Sequence, residues 1–172
     1  MNPYETSEQK LIPAVLVYVA YGDEILMLHR VKEAHEDYHS GKWNGLGGKL
    51  EKHESFEQAA VRELKEESGI DVEPSKLSLR GTLHFPNFKA HKNEDWFAYV
   101  YWVDLSGQEK KPTVVSPVEG KLHWINRDEV LSLNVWAADH RFLPLLLKGQ
   151  KFHATFWYEG HEVVREKIDV VI

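Results

Sequence analysis

The chain has no cysteine, and it has no hydrophobic run long enough to cross a bilayer. Without cysteine there is no disulfide framework, which is compatible with a reducing cytoplasm. The apolar segment LIPAVLVYVA at residues 11–20 is too short for a membrane span and predicts a buried strand. We therefore expect a cytoplasmic protein that does not enter the membrane.

Basic residues are also fewer than acidic residues. The chain carries 27 acidic residues against 21 lysines and arginines, a formal net charge of -6. Because nucleic-acid binding depends on clustered basic residues, this balance argues against a nucleic-acid polymer as partner. With 172 residues and no repeat or linker, the sequence predicts a single domain over residues 1–172, as a monomer or a homodimer.

What the sequence does contain is a frame of fixed residues between positions 48 and 70. The segment reads GKLEKHESFEQAAVRELKEESGI, and its specified positions are Gly48, Glu54, Arg62, Glu63, Glu66, Glu67 and Gly69. Ser55 and Gln58 form a capping box, and Gly69 is suited to end a helix in the left-handed conformation. These signals predict a helix from about residue 56 to residue 68.

The glutamates of this helix predict a metal site. Glu63 and Glu67 fall within the apolar sector, where two carboxylates repel each other and lose hydration. Magnesium, with manganese as an alternative, prefers carboxylate oxygens and would compensate that cost. Glu66 lies on the same surface, and Arg62, four residues before it, can hold its side chain. A solvated glutamate-rich face is the alternative, which the inward direction of Glu63 and Glu67 disfavours.

Just before this helix, WNGLGGK at residues 43–49 predicts a glycine-rich loop. Glycines let the backbone approach a ligand closely and present N–H or C=O groups to phosphate or metal. Three glycines in so short a segment also occur in ordinary turns. Joined to the carboxylate helix, Gly47 and Gly48 become candidates for the other wall of a metal and phosphate site.

The frame G-x5-E-x7-R-E-U-x-E-E-x-G-U, with U apolar, resembles the signature of the Nudix hydrolases at every specified position. The resemblance implies an α/β fold in which a mixed sheet is sandwiched between helices. It also implies an enzyme, usually magnesium-dependent, that cleaves a diphosphate linked to another moiety. In that family the positions of Glu63, Glu66 and Glu67 hold the ions, and a carbonyl near Gly47 often completes the shell.

Further segments resemble the MutT-type branch, which hydrolyses oxidised purine nucleoside triphosphates. They are KWNGLGGKLE, HFPNF at 84–88, VEGKLHWI at 118–125 and VWAADHRFLPLLLKGQKFHATFWYEG at 135–160. By this resemblance the substrate-binding residues are Asn44, Gly48, Trp136 and Asp139, with aromatic pocket positions at Phe85 and Tyr38. The implied catalytic residues are Arg62, Glu66, Glu67 and Glu119, with Glu66 or Glu119 as the base. The implied reaction converts a triphosphate of the 8-oxo-dGTP or dGTP class to the monophosphate and pyrophosphate.

One position departs from that branch. Where its pattern has two adjacent aspartates after tryptophan and proline, this chain has Ala137, Ala138 and Asp139. One of two base-reading acids is absent, and losing a buried partner costs about 1–3 kcal/mol of recognition. We therefore expect less strict selectivity for 8-oxo-purines, with dGTP and other purine triphosphates as competing substrates.

Other interpretations stay open. An ADP-ribose or nucleotide-sugar hydrolase would release two monophosphates, an RNA 5′-end hydrolase would need a basic groove, and a non-catalytic nucleotide-binding module would lose a carboxylate. Trp136 is also compatible with core filling, Asn44 with an ordinary turn and Phe85 with a strand end. Glu119 is compatible with a surface position.

The rest of the chain predicts strands and two more helical segments. Strand-like runs lie at 12–20, 24–29, 77–85, 96–104, 121–125, 152–158 and 162–170, with a hairpin turn at 21–23. Helical segments are predicted near 127–132 and at 139–147. The polar segment at 31–42 predicts a loop that overhangs the pocket and carries Tyr38.

Overall fold

The computed structural model describes residues 8–31 and 41–172. Its strands are β1 (Lys10–Tyr21), β2 (Glu24–Arg30), β3 (Trp43–Asn44), β4 (Leu46–Lys49), β5 (Ser78–Lys89), β6 (Glu94–Asp104), β7 (Gly120–Asn126), β8 (Lys151–Glu159) and β9 (Glu162–Val171). Its helices are α1 (Phe56–Ser68) and α2 (Asp139–Leu147), and short 3-10 turns span Pro74–Lys76, Ala90–Lys92 and Arg127–Ser132. Within these residues no helix is long and apolar enough to cross a membrane.

The strands form one mixed sheet. Its order is β3-β2-β1-β6-β5-β8-β9, with β4 also paired to β1 and β7 to β2. β1 is parallel to β6 and β5 is parallel to β8, while the other pairs are antiparallel. The predicted mixed sheet is confirmed.

The two helices cover opposite faces of this sheet. Ala14 and Tyr18 of β1 pack in a core with Phe142 of α2, whereas the intervening Val15 packs in a second core with Leu64 of α1. This division follows from the two-residue period of a strand, which sends successive side chains to opposite faces. The predicted sandwich of sheet between helices is confirmed.

Helix α1 has the bounds that its capping signals predict. The Ser55 hydroxyl accepts a hydrogen bond from the Gln58 backbone N–H at 3.1 Å, and the Gln58 side chain accepts one from the Ser55 N–H at 2.8 Å. Gly69 ends the helix with a φ of 80°. With the start and end of α1 set by these signals, the helical period determines the direction in which each glutamate of α1 points.

The segment at residues 43–49 was predicted to be a loop, and this prediction is wrong because the segment contains β3 and β4. Strand β4 is antiparallel to β1, with Gly47 opposite Leu16 and Gly48 opposite Val15. A Cβ on Gly47 would collide with the carbonyl oxygen of Val15, so glycine is what lets the strands approach. Pairing with β1 outweighs the low strand propensity of glycine, and that pairing is not visible locally.

Strand β5 continues past its predicted end at residue 85. The register against β6 shifts between Phe85 and Lys89, and Asn87 takes a φ of 51° while its N–H donates to Asp95 Oδ1 at 2.6 Å. Such a bulge accommodates Pro86, which cannot donate a ladder hydrogen bond. The bulge carries the chain on to Phe88 and Lys89 at the edge of the cleft described below.

Candidate active site

Glu63 and Glu67 project from α1 toward β4. The Gly47 N–H donates to Glu67 Oε1 at 3.0 Å, and a Cβ placed on Gly48 would lie 2.5 Å from Glu63 Oε1. Both carboxylates therefore press on strand backbone where any side chain larger than hydrogen would interfere. The inward direction expected from the helical period is the direction observed.

Glu67 has a strongly perturbed carboxyl group beside Glu63. Burial, together with the hydrogen bond and negative charge of Glu63, raises the pKa of Glu67 to about 8, against the lowering effects of the Gly47 N–H and the charge of Arg30. Two carboxylates at one site favour a proton between them when no cation is present. This oxygen-rich pair fits a hard divalent cation, whose binding displaces such protons.

Arg62 organises the exposed side of this cluster. Its Nε and Nη2 donate to the two oxygens of Glu54 at 2.6 and 2.8 Å, and Nη2 also donates to the Lys49 carbonyl at 3.1 Å. Its Nη1 donates to Glu63 at 2.9 Å and to Glu66 at 3.2 Å. Arg62 thus ties the glutamates of α1 to the segment before the helix and to the end of β4. Across residues 8–31 and 41–172, no three acidic or histidine side chains already converge as a ligand set.

A cleft of about 300 Å³ opens beside β4 on the α2 side of the sheet. It contains most of the residues that the sequence predicts for substrate and metal: Asn44, Gly47, Gly48, Phe85, Trp136 and Asp139. They come from β3, β4, β5, α2 and the segment before α2. The fold therefore brings separate predicted segments to one cavity beside the glutamates.

Asp139 is the acidic group on the far wall of the cleft. Its residue is only 8% exposed, and burial raises the pKa of Asp139 to about 8, although the charge of Lys42 lowers it. Near neutral pH this carboxyl is therefore largely protonated and can donate a hydrogen bond. The neighbouring Ala138 is fully buried, and its N–H donates to the Tyr158 hydroxyl at 2.8 Å.

Trp136 both lines the cleft and packs against its surroundings. The residue is 7% exposed, stacks on His161 with ring centroids 5.7 Å apart, and meets Tyr158 edge-on at 6.1 Å. The Lys42 ammonium lies 5.3 Å from the Trp136 ring. These contacts fix the indole before any ligand arrives.

Tyr38 and Glu119 were also predicted as site residues. Tyr38 lies outside the described residues, as does most of the predicted loop at 31–42. Glu119 is partly exposed and does not line the cleft. It precedes Gly120, which is opposite Arg30 in the ladder between β2 and β7.

The structure also brings to the site three residues that lie outside the predicted set of catalytic, metal and substrate residues. Glu54 belongs to the fixed frame, and its two hydrogen bonds to Arg62 show why that position is acidic. Arg30 lines the cleft, and its buried Nε has no hydrogen-bond acceptor among the described residues. Tyr158 also lines the cleft, and the only hint in the sequence is its place in the run FWYEG.

Comparison with known proteins agrees with this geometry. The model of the NUDIX domain matches residues 10–146. The chain is 34% identical over 134 residues to the oxidized purine nucleoside triphosphate hydrolase of Danio rerio, covering 77% of this chain and 80% of that protein. It is 29% identical over 125 residues to the protein of the same name from Mus musculus, covering 73% and 75%.

A solved structure is similar over nearly the whole chain. The MutT protein from Bacillus halodurans superposes with a TM-score of 0.75 at 27% sequence identity. The match covers 92% of this chain and 97% of that one. The mixed sheet, α1 and α2 are thus the elements of a fold already seen in a MutT protein.

Proposed function

Since this chain belongs to the Nudix hydrolase family, we propose that it hydrolyses a purine nucleoside triphosphate to the monophosphate and pyrophosphate in a magnesium-dependent reaction. The observation that carries the proposal is that the glutamates of α1 and the cleft both border the two glycines of β4. On one side Glu63 and Glu67 press on Gly47 and Gly48, and on the other side the same glycines line a cleft. A ligand in that cleft reaches the carboxylates across backbone that carries no side chain.

The acidic wall supplies the metal ligands in this proposal. Glu63 and Glu67 are the inner ligands, Glu66 is a further ligand or the base, and a carbonyl near Gly47 completes the shell. A bound divalent ion would lower the pKa of its water and offset the charge of the phosphates. Arg62 holds Glu63 and Glu66 in position through the hydrogen bonds that also tie it to Glu54. Glu119 is proposed as the alternative base or as a ligand of a second ion.

Arg30 is the cationic side chain that we assign to the substrate phosphates. Its Nε is buried at the cleft without an acceptor among the described residues, and its charge lowers the pKa of Glu67. A buried donor without an acceptor costs free energy, which a phosphate oxygen would recover. This role fits an acidic chain that has few cations to offer a polyanion.

The opposite wall is proposed to select the base. Asp139 in its protonated form donates to an acceptor on the purine, Asn44 offers an amide, and Phe85 and Trp136 supply apolar and aromatic surface. Ala138 stands where the MutT-type pattern has a second acid, and its backbone N–H is already taken by Tyr158. With one acid instead of two, we propose a substrate range that includes dGTP as well as 8-oxo-dGTP.

The test is a panel of 8-oxo-dGTP, dGTP, dATP and ADP-ribose at matched magnesium concentration. Pyrophosphate and monophosphate are measured separately, with and without excess chelator. We expect equal amounts of both products from the guanine triphosphates and none after chelation. Turnover of ADP-ribose alone, without pyrophosphate, would replace the proposed substrate class, and turnover in chelator would remove the metal from the mechanism.

A further inference from the structure

The rim of the cleft carries two lysines that the proposed chemistry does not use. The ammonium of Lys49 lies 5.2 Å from the centroid of the Trp96 indole, and that of Lys89 lies 4.7 Å from it. The three residues come from β4, β5 and β6, and all three line the cleft. Two cations therefore share one aromatic ring at the cavity wall.

In the described part of the chain, these two lysines make no ion pair with a carboxylate. Among residues 8–31 and 41–172, neither lysine is within ion-pair distance of a carboxylate, whereas Lys65, Lys111 and Lys167 each have one. Burial lowers the pKa of Lys89, as do the charges of Lys49 and Lys92, and only Glu94 on the paired strand acts in the opposite direction. In a chain with a net charge of -6, this is a local excess of positive charge.

Trp96 adds a neutral donor to the same place. Its indole Nε1 is buried and has no hydrogen-bond acceptor in the described part of the chain. A buried donor without an acceptor is uncommon in folded proteins and costs free energy. The rim thus offers two ammonium groups and an indole N–H, with no acceptor supplied by the described residues.

The lysine pair is not the counterion of the glutamates on α1. A Cβ on Gly48 would point at Glu63, and successive residues of a strand face opposite sides. Lys49 therefore points away from α1, toward Trp96. A phosphate that Lys49 contacts is on the other side of β4 from the carboxylates that would hold the metal.

A second cavity lies next to this rim. Its volume is about 560 Å³, it shares Phe88, Lys89 and Tyr158 with the cleft, and His91 and Lys92 also line it. Lys89 thus lines both cavities, and the second one offers space for a ligand that extends beyond a purine nucleoside.

We propose that Lys49 and Lys89, with Trp96 between them, bind a phosphoryl group of the substrate other than its 5′ α-phosphate. The inference rests on the proposed function, because it takes the scissile phosphates to lie at the glutamates. Two sources supply such a group: the terminal phosphate of a triphosphate, or a phosphate on the sugar. Both present oxygen acceptors to the two ammonium groups.

The test is equilibrium binding in excess chelator, where no turnover interferes. The ligands are dGTP, dGMP and deoxyguanosine 3′,5′-bisphosphate at constant ionic strength, and the proteins are wild type, the K49Q/K89Q double variant and K151Q. Lys151 is an exposed lysine outside both cavities, so K151Q is the matched control. The single variants K49Q and K89Q, each expected to show part of the loss, serve if the double variant does not fold.

We expect the double variant to bind dGTP or the bisphosphate about tenfold more weakly, the loss typical of one charge-assisted hydrogen bond, with dGMP little affected. Loss for dGTP alone identifies the terminal phosphate, and loss for the bisphosphate identifies the sugar phosphate. Unchanged binding of all three ligands, an equal loss for dGMP, or no binding of dGTP by wild type would overturn the inference. A wild-type enzyme that shows the expected binding but hydrolyses no triphosphate would refute the proposed function alone.

Discussion

The candidate site has two walls, α1 behind β4 and α2 at the cleft, and they hold their acidic side chains in opposite ways. On the α1 wall, Glu63 and Glu67 sit in a network with Arg62 and the Gly47 N–H, so that each carboxylate has hydrogen-bond donors or a charged neighbour. On the α2 wall, Asp139 is buried among aromatic and aliphatic residues, and Lys42 is the cation that acts on it. Burial raises both the pKa of Glu67 and the pKa of Asp139 to about 8.

The pKa of both carboxyl groups is raised, but the causes of the two shifts differ. For Glu67 the neighbouring Glu63 adds to the effect of burial, and a divalent cation would reverse both. For Asp139 burial alone is the raising cause, so the carboxyl is largely protonated near neutral pH. In the proposed function, one wall binds a cation through ionised carboxylates, and the other offers a neutral hydrogen-bond donor.

The largest effect on activity is expected from a substitution of Glu67. We predict that Glu67→Gln lowers kcat/KM by about a thousandfold or more, since losing several kcal/mol of metal-based stabilisation corresponds to about three decades in rate. The fold should persist, because the glutamine amide oxygen can still accept from the Gly47 N–H. Steady-state hydrolysis and thermal unfolding measure the two outcomes.

Glu57→Gln is the matched control for this prediction. Glu57 is an exposed glutamate in the first turn of the same helix and does not line the cleft. It should retain nearly full activity. If Glu67→Gln kept activity within a factor of about ten of wild type, a ligand role worth several kcal/mol would be excluded.

A smaller effect is expected when the network is loosened rather than broken. Arg62→Lys keeps the charge but loses the planar fork that makes two hydrogen bonds to Glu54 and two more to Glu63 and Glu66. We predict a fall of about 10–100-fold in activity or metal affinity, the range seen when residues that orient metal ligands are changed. Activity measured against magnesium concentration should show a raised requirement.

Lys65→Gln tests whether any basic residue of α1 would give the same result. Lys65 pairs with Asp71 at 3.3 Å, and both side chains are more than half exposed. Because exposed pairs contribute little, this variant should be close to wild type. An Arg62→Lys enzyme with an unchanged magnesium requirement would show that Arg62 does not position the ligands.

The sequence predicts a wall of the site well when that wall is held by interactions between residues close together in the chain. Helix α1, its cap at Ser55 and its end at Gly69 depend on residues within one or two turns, and they occur where the pattern predicts them. The directions of Glu63 and Glu67 follow from the helical period. What the pattern did not reveal is the strand character of Gly47 and Gly48, which depends on β1, some thirty residues earlier.

The other wall needs contacts between distant segments. Asn44, Phe85 and Asp139 could be placed together only through resemblance to a family, because no local pattern links β3, β5 and α2. The burial of Asp139 is a property of the packed fold and has no signature in its neighbours. The meeting of Lys49 and Lys89 on Trp96 likewise depends on the bulge in β5, where the sequence predicted only a strand end at residue 85.

The smallest effect concerns stability and isolates the neutral acid of the α2 wall. Because the pKa of Asp139 is raised from 3.8 to about 8 by burial, the folded state holds a proton that the unfolded state releases between these values. Its contribution to stability is therefore fully present below about pH 4 and is lost as the pH rises toward 8. Asp139→Asn, which mimics the protonated form, should unfold at nearly the wild-type temperature at pH 4 and a few degrees above it at pH 8.5. Glu67 titrates over the same range in both proteins, so only the difference between them reports on Asp139. Asp169→Asn, at an exposed carboxyl on β9, should follow the wild-type curve, and parallel curves for Asp139→Asn and wild type would mean that Asp139 is ionised in the folded protein.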